Sequence, residues 1–447
     1  MIFEDFKNAT QRFNVLKRSD VAGSYHFPTA TVSFESLERR DIDAIIALRD
    51  AWSANVRLSE HDYEAIAKVI PLAVHEYTHC VDSNSTVWGL KFLHQMEAAY
   101  SCSDEFQRDE REFWRAKEFH DLLRRIALPK YYTAMGDGDN TLPWRATITV
   151  GQLFDHLGRA TERPVLFQRF NNAENEHMVR SPISTVSLLE ASAMAQETAL
   201  RMSLIANLEG DYGLVERRDF SRRLMAYLHN PQITEYSVCV HLVANVLDTP
   251  DIGIAFVVCG ILARACLNLT DQIFDQLLAD QELMARVGFP RDHAFSSRLR
   301  DGLRSRDLGT AFFLFARRLQ KMPDLKLVDA EAMAIQAIAG LGIDAGAIHQ
   351  NAVAACEELE HGLRGSRIEP IRLLAAAGVQ NLRTMNPTAR RIDFNDLQLP
   401  RALLGDSTEV FLLGDPTCEL GRRSIESVFE PLFRGERWVE RFSEACV

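Results

Sequence analysis

The sequence has no closely spaced pair of cysteines. Its eight cysteines are spread over 447 residues, and no two of them form a Cys-x-x-Cys pair. Structural zinc knuckles need such pairs, and disulfide-stabilised domains need a much higher density of cysteine. The cysteine pattern therefore predicts reduced and mostly buried thiols in a cytoplasmic protein.

The sequence also lacks an apolar leader and a charge-free run long enough to cross a membrane. Its first residues, MIFEDFKNATQRF, mix charges with apolar residues and contain no cleavage pattern. The most apolar run, 252–269, contains Arg264, and Gly260 lies near its middle. Because an arginine inside a bilayer is costly, this run predicts a buried helix of a soluble protein without a membrane partner.

An excess of positive charge is missing as well. Lysine and arginine number 50 against 62 aspartates and glutamates, which gives a formal net charge of -12. A surface of this sign repels the phosphate backbone, so we expect no nucleic-acid partner. The hydrophobic share of 47% is that of a globular protein with a large core.

Apolar periodicity predicts a mainly α, α+β protein with a few short strands. Ser59 stands three residues before Asp62 and predicts the start of a helix. The predicted helices of the first half are 41–55, 60–83, 87–100, 105–128 and 187–206. The predicted strands are 29–34, 146–150, 164–170 and 409–413. We place one region at 1–210 and a second, predominantly helical C-terminal region at 211–447, whose helices break near Pro231, Pro250, Pro290 and Pro323.

The segment His75-Glu76-Tyr77-Thr78-His79 lies inside the predicted helix 60–83. Residues four apart share one face of a helix, about 6 Å apart along its axis, so both imidazoles can bind one metal ion. Glu76 lies beside that ion and can accept a proton from an activated water. This is the chemistry of the H-E-x-x-H motif, with two zinc ligands and one general base. A pair of ordinary histidines flanking a glutamate gives the same pattern by chance.

A catalytic zinc ion needs a third protein ligand. The metzincin pattern fails, because Asp82 and Ser85 occupy the places of its glycine and of its last ligand. Asp82 is also about 10.5 Å from His75 along a straight helix, too far for both to bind one ion. We interpret Asp82 either as a partner that orients a histidine or as an acid on the helix surface.

Glu190 is the better candidate for the third ligand. It lies in the stretch PISTVSLLEASAMAQE, where leucine and alanine surround it on a second predicted helix. A carboxylate among apolar neighbours is costly unless it is paired or bound to metal, although an ordinary salt bridge would also suffice. Glu197, seven residues further on the same face, is positioned to hydrogen-bond a histidine ligand or to pair with a buried arginine.

With Glu190 in its L-L-E-A-S-A setting, the H-E-Y-T-H segment resembles the gluzincin group of zinc metallopeptidases, over roughly 60–200. The stretch HEYTHCVDSNSTVWGL is also similar to bacterial HEYTH proteins of poorly known function. The resemblance implies a zincin-like metallopeptidase core within 1–210, with His75, His79 and Glu190 as zinc ligands and Glu76 as general base. It implies hydrolysis of a protein or peptide substrate, with a downstream Tyr or His stabilising the oxyanion. Tyr227, Tyr236 and His241 are available, and we choose Tyr236.

Two rival hypotheses stay open. Glu76-x-x-His79 and Glu358-x-x-His361 are E-x-x-H pairs, and with Glu190 and Glu197 they form the ligand set of a di-iron or di-manganese helical protein. Glu174-x-x-His177 is a further such pair. Alternatively, the chain is a catalytically inactive helical interaction protein. If it is a peptidase, the C-terminal region is suited to restrict access, to confer narrow specificity or to bind a regulatory protein partner.

Overall fold

The computed structural model describes residues 22–46, 48, 57–102, 110–155, 157–290 and 292–445. They form a mainly helical structure with two small sheets, which confirms the mainly α, α+β prediction. The helices are α1 (Arg39–Ile46), α2 (Glu60–Asn84), α3 (Val87–Tyr100), α4 (Glu110–Ile126), α5 (Thr185–Ala206), α6 (Tyr212–Leu228), α7 (Thr234–Leu247), α8 (Ile252–Leu267), α9 (Asp271–Ala279), α10 (Leu283–Arg286), α11 (Ala294–Arg304), α12 (Leu308–Ala316), α13 (Ala330–Ala339), α14 (Ala345–Leu363), α15 (Glu369–Thr384), α16 (Glu419–Arg422) and α17 (Ile425–Ala445). The strands are β1 (Ser24–His26), β2 (Thr31–Phe34), β3 (Ala134–Met135), β4 (Arg145–Phe154), β5 (Ala160–Asn171), β6 (His177–Pro182), β7 (Ala402–Leu404) and β8 (Glu409–Val410).

Most predicted elements occur, and their ends differ where local patterns are weak. The predicted cap is present, because the Ser59 hydroxyl accepts a hydrogen bond from the Asp62 amide at 3.2 Å. Strands β4 and β5 are longer than the predicted strands 146–150 and 164–170. Their additional residues are mostly polar or exposed, so they carry no apolar pattern that would have predicted them. Strand β8 ends at Val410, so the prediction of a strand over 409–413 was too long. Only the first part of the predicted helix 41–55 is seen, as α1, and most of its second half lies outside the described residues. The start of the predicted helix 105–128 also lies outside them, because residues 103–109 are not described.

The first sheet joins distant parts of the chain. Its strand order is β1-β2-β7-β8, and β2 pairs in parallel with β7, with Val32 opposite Ala402. The second sheet, β3-β6-β5-β4, is antiparallel and comes entirely from residues 134–182. The predicted boundary at residue 210 stays a prediction, and the β2–β7 pairing is a structural link across it.

Three helices pack closely at the centre of the structure. The second half of α2 is buried on all sides, and α5 runs antiparallel to it, as the bridge between Leu58 and Leu208 at their paired ends shows. Helix α8 lies so close to α5 that a Cβ at Gly260 would be 2.2 Å from the Ala195 Cβ. Gly260 on α8 and Ala195 on α5 therefore permit the close packing of these two helices.

The apolar run 252–269 forms α8, which is buried from Gly253 to Leu267. Arg264 is 3% exposed and donates to the Pro387 carbonyl oxygen at 3.3 Å and to that of Ala389. Among the described residues, no single helix is long and apolar enough to cross a membrane, while Pro231–Leu247 and Ile252–Leu267 meet the criterion only as a pair bent by 113°. The seven described cysteines are buried and free, as predicted, and Cys446 lies outside the described residues.

Candidate metal centre

Helix α2 places the two motif histidines side by side in the interior. His75 is 2% exposed and His79 is 1% exposed. Their ring centroids are 4.9 Å apart, and their Nε2 atoms are 3.2 Å apart. The i, i+4 spacing therefore directs the same nitrogen of each imidazole to one point, as the sequence predicted.

Glu190 reaches the same point from α5. Its Oε2 lies 3.8 Å from His75 Nε2, and its Oε1 lies 3.7 Å from His79 Nε2. The three residues offer one ligand atom each within 4.8 Å of one another. Ligand atoms at 2.0–2.2 Å from a tetrahedral ion are roughly 3.4 Å apart. The buried group formed by His75, His79 and Glu190, hereafter the three-ligand group, thus has the spacing that a single metal ion requires.

Glu197 supports this group from two turns further along α5. The Nδ1 of His75 donates to Glu197 Oε2 at 3.1 Å, and Arg201 Nε donates to Glu197 Oε1 at 3.2 Å. With the proton on Nδ1, the lone pair of His75 lies on Nε2, which faces Glu190. The bond to His75 confirms the first of the two roles predicted for Glu197. Its arginine partner, Arg201, has a side chain that is 22% exposed and is therefore not the buried arginine of the second role.

Glu76 lies in the buried part of α2, with 6% of its surface exposed. It follows His75 directly and is therefore turned about 100° around the helix from it. Glu76 is not a member of the three-ligand group. Its role as a general base beside a metal ion stays a prediction.

Two neighbours on α2 are not ligands of the group. Asp82 is fully buried, so the interpretation as a helix-surface acid was wrong. Burial raises the pKa of Asp82 to about 7, and the Ser192 hydroxyl and the Arg264 guanidinium limit the rise. The Cys80 thiol accepts from Asn84 Nδ2 at 3.5 Å, and burial raises its pKa to about 12, which confirms a packed thiol.

Helix α7 contributes a carboxyl group that the sequence did not single out. Burial, together with the nearby charge of Glu190, raises the pKa of Glu235 to about 7, and the Ser184 hydroxyl, which donates to it at 3.4 Å, opposes the rise. Nothing in the segment ITEYSVCVH distinguishes this glutamate from an exposed one in the first turn of a helix. The adjacent Tyr236 is half-buried against the core, and its role in stabilising an oxyanion stays a prediction.

His241, another candidate for that role, has a packing function. Its Nε2 donates to the Leu228 carbonyl oxygen at 2.7 Å, and its ring stacks on Trp144 with centroids 5.5 Å apart. Burial lowers the pKa of His241 to about 3, so the imidazole is neutral. It joins the end of α6 to α7.

A cleft of about 330 Å³ comes close to the three-ligand group. Trp88 lines the cleft, and the Phe27 ring lies 6.3 Å from the rings of both Trp88 and His79, measured between centroids. Ser184 also lines it and donates to Glu235, which lies near enough to Glu190 to be affected by its charge. Phe27 thus contacts both a residue of the cleft wall and a predicted ligand.

The ligands of the rival two-metal hypothesis do not come together. Glu358 and His361 are exposed on α14, and neither belongs to the three-ligand group. Across the described ranges, His75, His79 and Glu190 are the one set of three or more possible ligands with this convergence. The geometry favours a site for one ion.

No protein-family model matches the chain, and comparison with curated proteins and with solved structures gives no match. The resemblance to gluzincins therefore depends on the motif residues themselves. A functional argument for this chain has to come from the chemistry of the site.

Proposed function

We propose that this protein is a zinc-dependent peptidase that uses Glu76 as its general base. The main support is the convergence of His75, His79 and Glu190, whose facing atoms are 3.2, 3.7 and 3.8 Å apart. Two imidazoles and one carboxylate leave the fourth position of a tetrahedral ion open, which is the arrangement of catalytic rather than structural zinc sites.

The donor set fits zinc better than the common alternatives. Magnesium and calcium prefer sites made of oxygen ligands, whereas two imidazole nitrogens suit zinc and its transition-metal neighbours. The carboxylate of Glu197 behind His75 is the outer partner that metal-binding histidines usually have. The three ligands are almost completely buried, and a charged Glu190 in such surroundings is stabilised by a bound cation.

The side chains of this chain divide the chemistry of hydrolysis between them. A bound zinc ion would supply the positive charge that polarises the attacking water and the scissile carbonyl. Glu76 takes a proton from the water and returns it to the leaving amine. Tyr236 is our candidate donor to the developing oxyanion. The cleft lined by Trp88 and Ser184 is our candidate path for the peptide. Phe27, which contacts Trp88, and Glu235, which accepts from Ser184, would restrict which peptides reach the ligands.

The test compares the full chain with its Glu76→Gln variant. Elemental analysis should find one zinc per chain in both proteins, because Glu76 is not a ligand. Mass spectrometry of an unfolded protein mixture should show cleavage by the parent and a loss of at least about 100-fold in the variant, since a general base contributes about that much. Glu64→Gln, an exposed acid on the same helix, is the matched control and should cleave like the parent.

Other outcomes would replace the proposal. Equal cleavage by the parent and by Glu76→Gln would show that Glu76 is not the general base. Zinc binding without any cleavage would support the inactive interaction protein, and two iron or manganese ions per chain would support the carboxylate protein.

A further inference from the structure

A second cavity, of about 380 Å³, lies between α17 and the segments around Pro28 and α4. Its apolar wall includes Pro28, Phe119, Leu123 and Val439. Its polar wall comes mostly from one face of α17, where glutamates recur every fourth residue. They are Glu436, Glu440 and Glu444. The cavity therefore combines an apolar slot with a row of carboxyl groups.

Glu436 forms the deep end of this row. It is 5% exposed, it lines the cavity, and within the described part of the chain neither of its carboxyl oxygens has a hydrogen-bond partner. Its Oε1 is 3.4 Å from His26 Nε2, but the two atoms are not aligned for a hydrogen bond. A buried carboxyl group without a partner is costly, so its position facing a cavity points to a ligand.

The groups around Glu436 do not supply a compensating charge. Burial lowers the pKa of His26 to about 3, so this histidine is neutral. Burial, and next the charge of Glu440, hold the pKa of Glu436 well above its usual range, and Arg437 opposes this only weakly. Arg437 itself lies 3.7 Å from Glu440, and the His120 ring bonds the Ser443 hydroxyl at 3.0 Å.

We propose that this cavity binds a small organic cation, an amine or amidinium on an apolar stem, with its charged group against Glu436 and its stem along Phe119 and Leu123. An organic cation fits better than a hard metal ion, which needs six or more oxygen ligands, because much of the wall is apolar. The aromatic ring of Phe119 also favours a neighbouring positive charge.

The inference is independent of the three-ligand group. Tyr100 and Pro28 close the cavity on the side of the Phe27–Thr29 turn, where the Tyr100 hydroxyl donates to the Pro28 carbonyl oxygen at 3.0 Å. The ligand would therefore contact a turn whose Phe27 ring faces His79, without touching a predicted zinc ligand. Binding can be measured whether or not the protein hydrolyses peptides.

The experiment titrates the full chain with benzamidine, benzamide and benzoate by calorimetry. The three probes share one ring and differ in charge, so they separate charge recognition from apolar burial. Benzamidine should bind at one site, and benzamide and benzoate should bind at least about tenfold more weakly, because a charge-assisted contact is lost. Equal binding of benzamidine and benzamide by the native protein would overturn the proposal.

The location is tested with Glu436→Gln, which should weaken benzamidine binding by at least about tenfold. Glu430→Gln is the matched control, because Glu430 lies on the same helix, pairs with Arg434 and does not line the cavity. Circular dichroism checks that both variants are folded. Should Glu436→Gln fail to fold, the comparison of the three probes on the native protein still decides between binding and its absence. Unchanged benzamidine affinity in folded Glu436→Gln would contradict the assignment.

Discussion

Replacing Glu197 with glutamine should weaken zinc binding by about tenfold while leaving the three ligands in place. Glu197 bonds His75 Nδ1 at 3.1 Å and holds the ring with Nε2 toward Glu190. An amide oxygen in the same place still accepts this bond, but the negative charge that increases the basicity of the imidazole is gone. We therefore expect the lower end of the 10- to 100-fold range that outer partners of metal-binding histidines contribute.

The weaker zinc binding should also reduce the thermal stabilisation that zinc gives to the protein. A ligand at 100 times its dissociation constant stabilises the folded protein by about 2.7 kcal/mol. After a tenfold loss of affinity, the same zinc concentration stabilises it by about 1.4 kcal/mol. Zinc should therefore raise the melting temperature of Glu197→Gln by roughly half as much as that of the parent.

The assay is a competition for zinc against a chromophoric chelator, followed by melting with and without zinc. Glu216→Gln is the matched control, because Glu216 also bonds an arginine, Arg223, and a side chain of α2, Tyr63. Its side chain is 14% exposed, close to the 19% of Glu197. Equal zinc affinity in Glu197→Gln and the parent, or an equal loss in both variants, would refute the reasoning.

Two further predictions concern stability. The pKa of Glu436 is raised, so the folded protein keeps a proton that the unfolded chain releases above about pH 4.5. The free energy of unfolding therefore falls as the pH rises above this value, by up to about 1.4 kcal/mol per pH unit. Glu436→Gln should reduce this pH dependence of stability and be more stable than the parent at neutral pH, as measured by urea unfolding at several pH values. The same pH dependence in both proteins would contradict the prediction. Gly260→Ala should destabilise the protein by about 1–3 kcal/mol, because the new Cβ would lie 2.2 Å from Ala195 Cβ on the helix of Glu190. Gly365→Ala, where a Cβ meets nothing within 4 Å, is the control, and equal urea midpoints for the two variants would rule out the steric argument.

The local parts of the site could be predicted from the sequence because each depends on spacing within one helix. The i, i+4 separation of His75 and His79 sets their common face, and the cap at Ser59 sets where that helix begins. Glu190 could be selected because an acid among leucines and alanines needs a partner. Its distance from the histidines depends on how two helices pack. The sequence contains the small residues that permit close packing, but it does not determine the distance.

The non-local parts had no comparable pattern. Strand β7 has three residues, and its pairing with β2 depends on contacts between residues some 370 positions apart along the chain. Glu235 becomes a neighbour of Glu190 only because α7 packs on α5. The burial of Asp82 could not be read from the sequence, because its partners Ser192 and Arg264 come from two other helices.

The pairing of β2 with β7 also has a consequence for biosynthesis. A ribosome synthesises the H-E-Y-T-H helix early, whereas the last two strands of the adjoining sheet, β7 and β8, follow only when residue 410 has been made. Because contacts of such long range form late in folding, a nascent chain would contain the motif helix before the adjoining sheet has formed. The hydrolytic activity that we propose would then arise only after translation of almost the entire polypeptide, and premature termination upstream of β7 would yield fragments without it.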